Sequence, residues 1–328
     1  MDRRSTTLLL TLAAIWGASY LFIEIGLRDL SAPLIAWMRI AFGAAVLVPL
    51  AMRAGALRRF DGLWPAIVVV AVAQVAAPFL LIALGQQEIT SSLAGILVGS
   101  APIWTALLAF FFVAEERSRG LQLVGIALGV AGLVVLLGVD LGGSGSELLG
   151  GLAVVLAALG YAIGGLVAKA RLGSVQPIGV AAIVLAVSTV ISLPAALLTL
   201  PGSAPGIGPL AAVAALGIVG TGVAFAIFYE LIAEVGPART FLVTYLAPIF
   251  AVAYGVVLLD EPFGAASLCG LLLILIGSYL AAGGNREGPS AAFEAGLAPS
   301  RNALTPSTWS SVFIASASSA RAVSRARA

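Results

Sequence analysis

Ser100-Ala-Pro-Ile-Trp104, followed by an apolar run to Glu115, recurs 146 positions later (Pro102 against Pro248) as Leu246-Ala-Pro-Ile-Phe250 running to Glu261. Gly125 and Gly132 follow the first copy, seven apart, as Gly270 and Gly277 follow the second. The chain is therefore a duplicated unit. In a sequence that is 61% hydrophobic, two homologous halves point to a membrane protein of the architecture common among secondary transporters.

Composition fixes the solvent. Charged residues make up only 10% of the chain and the mean hydropathy is +1.11, whereas ordinary soluble domains are about 25% charged. The excess apolar surface belongs in a bilayer. The net charge of +2 and the scattered basic residues leave no nucleic-acid footprint. The lone Cys269 excludes a disulfide within the chain and reads as a small packing residue. Histidine is absent, which removes the commonest metal ligand and the commonest general base.

Apolar stretches of about 20 residues, the length that crosses a bilayer, number ten. They run approximately over 7–26, 31–52, 64–84, 90–113, 120–138, 149–168, 177–199, 209–231, 238–259 and 264–283. The expected fold is an all-α polytopic membrane protein with ten transmembrane helices in two inverted five-helix repeats. Residues 1–140 form the first repeat, 141–283 the second, and the Ser-, Ala-, Arg- and Pro-rich segment 284–328 reads as a disordered cytoplasmic tail. The first apolar stretch is too long for a signal peptide and offers no cleavage site before it ends, so it reads as an anchor.

With a cytoplasmic N-terminus, the inner segments hold Arg3, Arg4, Arg53, Arg58, Arg59, Arg117, Arg119, Lys169, Arg171 and Arg239, and the outer loops only Arg28. That asymmetry places both termini inside a cell (inner or plasma) membrane. Five helices per repeat is an odd number, so the second copy lies upside down relative to the first. A substrate site is then expected near the midplane, where the repeats meet.

The duplicated Ala-Pro-Ile core with its downstream glutamate, Trp16-Gly17 in the first helix, and Phe228-Tyr-Glu-Leu-Ile-Ala-Glu-Val-Gly-Pro-Ala-Arg239 resemble the EamA-type branch of the drug/metabolite transporter superfamily. The resemblance spans about residues 7–283. It implies a ten-helix carrier with both ends cytoplasmic and a central cavity lined by helices 1, 3, 4, 6, 8 and 9. The cargo it implies is small polar or amphipathic metabolites, with export of amino acids or related compounds favoured.

Individual residues refine that expectation. Pro102 and Pro248, near the middle of helices 4 and 9, each remove a backbone donor and predict kinks, read as a paired hinge or as static bends. Arg39, about eight residues into helix 2, and Glu24, near the outer end of helix 1, sit at similar depth and predict an ion pair, because a lone intramembrane arginine is costly. A charge relay or a clamp on a substrate carboxylate at Arg39 is the alternative reading. Glu230 lies near the inner end of helix 8, where it can snorkel to water. Glu115 and Glu261 are expected near the N-terminus of the helix that follows each.

The polar and aromatic residues at mid-depth are Trp16, Tyr20, Gln74, Ser100, Tyr161, Thr221, Thr244 and Tyr245. They are the substrate-binding candidates, with hydrogen-bonded glue between helices as the alternative for each. Gly125 and Gly129 read as close packing. No catalytic residues, metal site or cofactor are expected, since a Ser-His-Asp triad and a His-ligated metal are impossible and Asp140 and Asp260 fall at helix ends. The expected partners are a small-molecule solute and the lipid bilayer, not nucleic acid, with a homodimer as an open alternative. A non-transporting sensor or assembly scaffold is the competing function.

Overall fold

The structure, a computed structural model, describes residues 1–57, 60–112, 120–140 and 145–282. Arg58, Arg59, Glu115, Arg117, Arg119 and the tail from 284 lie outside the described residues. Ten apolar helical segments follow one another. They are α1 (Arg3–Gly26), α2 (Ala32–Arg53), α3 (Trp64–Gly85), and α4 in two pieces (Ser91–Val98 and Ala101–Phe112). Next come α5 (Leu121–Val135, continued by Leu136–Asp140), α6 (Gly145–Leu172), α7 (Pro177–Leu197), α8 (Ile207–Val235), α9 (Val243–Leu258) and α10 (Ala265–Ala281). Eight are long and apolar enough to cross a membrane, and α9 and α10 are shorter apolar helices.

Local chemistry explains where the helices start. Asp2 caps α1, its carboxylate accepting from Ser5 N at 2.8 Å. Thr90 caps α4 by accepting from Leu93 N at 3.3 Å. Pro33 and Pro177 occupy the first turns of α2 and α7, where a missing N–H costs nothing.

Among the described residues, three helices carry a widened, π-type turn: Ala71–Ala76 in α3, Leu136–Asp140 in α5 and Ile218–Val223 in α8. Those in α3 and α8 fall within one residue of the repeat offset, so the irregularity is duplicated along with the sequence. Their local causes differ. In α3, Pro78 follows directly and has no N–H to return to the preceding turn. In α8, Gly220-Thr221-Gly222 loosens the ladder, and the Thr221 hydroxyl donates to Leu216 O at 3.3 Å, taking up a carbonyl the wide turn exposes.

The two repeated prolines behave differently. Before Pro102 the helix breaks at Gly99-Ser100, and Ile103 N closes a tighter turn onto Ser100 O at 2.9 Å. Around Pro248, α9 stays helical. The two meet, because a Cβ on Gly99 would lie 2.9 Å from Pro248 Cγ. The break therefore seats one helix on the ring of the other.

The repeated glycines of the two copies also meet, crosswise: Gly277 lies on Gly125 and Gly129, and Gly132 on Gly270. A Cβ on Gly277 would sit 2.5 Å from Gly129 N and 2.7 Å from Gly125 O, and one on Gly132 would sit 3.1 Å from Gly270 O. Without side chains, α5 and α10 approach backbone to backbone, which is how helices gain contact in lipid, where no hydrophobic force drives them together. We expect Gly277→Leu to lower the yield and thermal stability of the purified protein, because the atoms it meets are backbone and overpacking costs about 1–3 kcal/mol or more. Gly165→Ala is the matched control, since nothing lies within 4 Å of its Cβ position. Thermal unfolding of both variants in one detergent checks the difference.

Candidate functional site

Arg39 organises the centre of the bundle. It is 8% exposed, its Nε donates to Thr221 Oγ1 at 3.2 Å, and its guanidinium carbon stands 3.8 Å from the centroid of the Phe79 ring. A cation over an aromatic face is stabilised by the ring quadrupole, more so when desolvated. Tyr20 and Tyr161 lie within electrostatic reach of the same charge. Five helices thus converge on one guanidinium: α1, α2 and α3 from the first half, and α6 and α8 from the second.

Small residues let them do so. A Cβ on Gly43 would lie 2.6 Å from Thr221 Cγ2, one on Gly217 would lie 3.0 Å from Arg39 O, and one on Gly222 would lie 2.6 Å from Val46 Cβ. These glycines press α2 against the widened turn of α8. That contact brings Nε within hydrogen-bond distance of Thr221.

The expected Glu24–Arg39 ion pair is not formed. Equal depth on neighbouring helices does not put two side chains on facing sides: Arg39 points at α8 and α3, while the electrostatic neighbours of Glu24 are Glu261 and Arg28. Arg4 does form ion pairs, reaching Glu230, and Glu234 at 2.7 Å. Glu230 therefore joins the start of α1 to the end of α8.

Glu261 also differs from expectation. It caps α4 of the other repeat, not the helix that follows it: its carboxylate accepts from Ser91 N at 2.8 Å, Ser92 N at 2.9 Å and Ser92 Oγ at 2.5 Å. Asp260 makes this reach possible by adopting φ of 54°, a left-handed conformation that Asp tolerates.

Of the remaining candidates, Tyr20, Tyr161 and Thr221 are brought together around Arg39. Trp16 lies beside them on α1 and packs on Phe225 and Phe228 of α8, with ring centroids 6.3 and 5.5 Å away. Gln74, in the widened turn of α3, packs on α6, where a Cβ on Gly164 would stand 3.1 Å from Gln74 Cα. Ser100 is consumed inside the α4 break, donating to Leu97 O at 2.6 Å and accepting from Trp104 Nε1 at 3.2 Å. Thr244 donates to Phe241 O at 2.8 Å on its own segment. Tyr245 turns to α10, its hydroxyl donating to Ser278 O at 3.4 Å and its ring facing Tyr279. Pro102 and Pro248 sit at the α4–α9 crossing.

Sequence reasoning missed Phe79 and Gln86. Nothing marks a phenylalanine in an apolar helix as the platform of a cation. Gln86 at the end of α3 donates to Tyr20 O at 3.0 Å and carries a buried Oε1 without a partner. A separate apolar groove of about 410 Å³ runs along the α2–α7 seam beside Ala44, Val48 and Thr189 and holds none of the charged or aromatic side chains above.

The profile of the EamA-like transporter family matches residues 4–138 and again 148–283. The chain belongs to the EamA-like transporter family. It is 28% identical over 298 residues to an Escherichia coli K12 protein named "Probable amino-acid metabolite efflux pump", covering 85% of this chain and 95% of that one. It is 26% identical to the E. coli K12 "Uncharacterized inner membrane transporter YedA", over 83% of this chain and 90% of the relative. A solved crystal structure 23% identical in sequence shares the fold, with a TM-score of 0.61 over 86% of this chain and 97% of its own. The protein is a multi-pass membrane transporter of this family.

The cap from Glu261 carries a prediction. Charge-assisted hydrogen bonds are worth about 1.5–3 kcal/mol when a partner is lost, and Glu261 serves three donors. Glu261→Ala should lower the thermal midpoint clearly, and Glu261→Gln, which keeps one oxygen acceptor, by less. Midpoints for both variants equal to that of the unmodified protein in a thermal melt would show that the cap contributes nothing.

Proposed function

We propose that this transporter is an exporter of small amphipathic metabolites of the amino-acid type, working by alternating access between its two inverted halves. The observation that carries the reading is the Arg39 cluster, where aromatic, hydroxyl and charged side chains from both repeats converge at mid-depth in an otherwise apolar bundle. A solute held there touches both halves, as rocking of one half against the other requires. An aromatic wall with few hydrogen-bonding groups suits a solute that is apolar at one end and polar at the other. The name carried by the E. coli relative supports an amino-acid metabolite as cargo and efflux as direction.

In this reading Tyr20 and Tyr161 contact the solute with Arg39, Thr221 holds the guanidinium in place, and Trp16 and Gln74 border it. Pro102 and Pro248 form the crossing on which α4 and α9 move. Tyr245 serves α10. We expect Tyr161→Ala and Tyr20→Ala to raise the apparent half-saturation for efflux about ten- to hundredfold, the effect of losing one to a few kcal/mol of aromatic contact, with Tyr245→Ala close to wild type. Initial rates in proteoliposomes, normalised to the amount of inserted protein, measure this. Unchanged kinetics in both midplane variants would move the site elsewhere.

The orientation belongs to the same proposal. Both termini face the cytoplasm, as the lysine and arginine bias favours. Because Cys269 is the single cysteine, its removal leaves a clean background. Cysteine at Ser203, between α7 and α8, should then react with an impermeant thiol reagent added outside intact cells, and cysteine at Gly55, between α2 and α3, should not. The reverse pattern inverts the topology.

A further inference from the structure

Arg39 is 92% removed from solvent, yet it makes a single protein hydrogen bond, through Nε. A guanidinium carries five N–H donors. The terminal Nη1 and Nη2 have no hydrogen-bond partner among the described residues, and no carboxylate pairs with the charge. A merely structural arginine at this depth would be expected to spend its fork on carbonyls or an acidic side chain, because an unmatched charge in hydrocarbon costs several kcal/mol. Of the carbonyls near the neighbouring irregular turns, Leu216 O is already taken by Thr221, and Ala71 O lies 3.0 Å from the Ser188 hydroxyl, which is shared with Val184 O at 2.8 Å. The protein thus holds a buried cation that Phe79 and Thr221 orient, with Nη1 and Nη2 unpaired among the described residues.

We propose that Arg39 is the anion site of the transporter and binds the carboxylate of its solute through Nη1 and Nη2. Carboxylates match the fork geometry of guanidinium with two parallel hydrogen bonds. Thr221 and Phe79 are positioning residues: they hold Nε and the guanidinium plane, and the rings of Tyr20 and Tyr161, within electrostatic reach of the charge, receive the apolar part of the solute. The cargo class is accordingly a small monocarboxylate with an apolar body, amino acids included, and amines or amides of the same shape are poor substrates. The charge is present in one repeat only. The matching stretch of α7, Ile183 to Leu185, is apolar, so the solute binds off the pseudo-symmetry axis, nearer α2 and α8.

This inference rests on the proposed transport of amphipathic metabolites, and the experiment separates the two. Proteoliposomes containing the full chain are loaded with each of the twenty common amino acids and assayed for counterflow of the same labelled compound. If none is exchanged, the functional reading falls and the carboxylate site with it. For any amino acid that is exchanged, three compounds compete against it on the unmodified protein: the amino acid itself, its carboxamide, and the amine that lacks the carboxyl group. The expected result is a loss of at least about tenfold in competition for the amide and the amine, the order expected for removing a charge-assisted bidentate contact. Equal competition by all three would leave the functional reading standing and overturn the role of Arg39. Arg39→Lys should retain measurable exchange with weakened affinity, and Arg39→Gln should lose the discrimination between acid and amide. Should Arg39→Gln fail to insert, the ligand series on the unmodified protein decides alone. Thr221→Val, which removes the Nε acceptor and keeps the shape, should weaken the acid and leave the amide unchanged; equal weakening of both would overturn the positioning role.

Discussion

A backbone carbonyl that loses its helical donor inside hydrocarbon must find another, since no water is there to receive it. The structure depends on how this constraint is met. At three bends a hydroxyl stands against a carbonyl: Ser278 of α10 donates to Gly99 O at 3.1 Å, Ser188 of α7 is shared between Ala71 O and Val184 O of its own helix, and Thr221 donates to Leu216 O within its own helix. Two of the three hydroxyls come from the opposite repeat. The irregular turns are thus where the halves are joined by hydrogen bonds as well as by packing. A change such as Ser278→Ala acts on the α4 break although it lies in α10.

The same constraint links the irregular turns to the site. A widened turn displaces the side chains that follow it and offers its carbonyls sideways. In α8 this puts Thr221 between Leu216 O and Arg39 Nε, so one hydroxyl both donates to a backbone carbonyl beside the widened turn and accepts from a buried cation. Valine has the same shape but neither capability. In α3 the equivalent turn precedes Phe79 and sets its ring against the guanidinium. Duplication supplied two similar turns, and divergence of α2 from α7 placed a charge beside only one pair.

The ten helices, the duplication and the glycine seam were legible because each is a one-dimensional pattern: length of apolar run, offset of 146, spacing of seven. Their residues needed no knowledge of neighbours. The identity of partners was not legible, because depth along a helix can be counted from sequence whereas the rotation of one helix against another cannot. Glu24 and Arg39 share a depth and face apart. Glu261 was expected near an N-terminus and found one, but in the other repeat. Tyr245 and Thr244 have the chemistry of binding residues and are turned to α10 and to their own backbone. Phe79 has no signal of its own, being one aromatic among fourteen phenylalanines in an apolar chain.

The two ends of the bundle are tied across the repeats by contacts of different kinds. At one end Arg4 reaches Glu230 and Glu234 with half of its side chain in solvent, and exposed pairs of that sort are screened by salt and contribute little. At the other, the Glu261 carboxylate lies on two helix amides and a hydroxyl, while Ser31 donates to Thr199 O at 2.8 Å and Asp29 accepts from Gly206 N at 2.8 Å. Parting α1 from α8 at the first end leaves charged groups that water can receive. Parting α9 from α4 at the second removes the carboxylate from the N-terminal amides of α4, Ser91 N and Ser92 N. The two ends are therefore held by contacts of unequal kind, and those at the Arg4 end are the more readily screened.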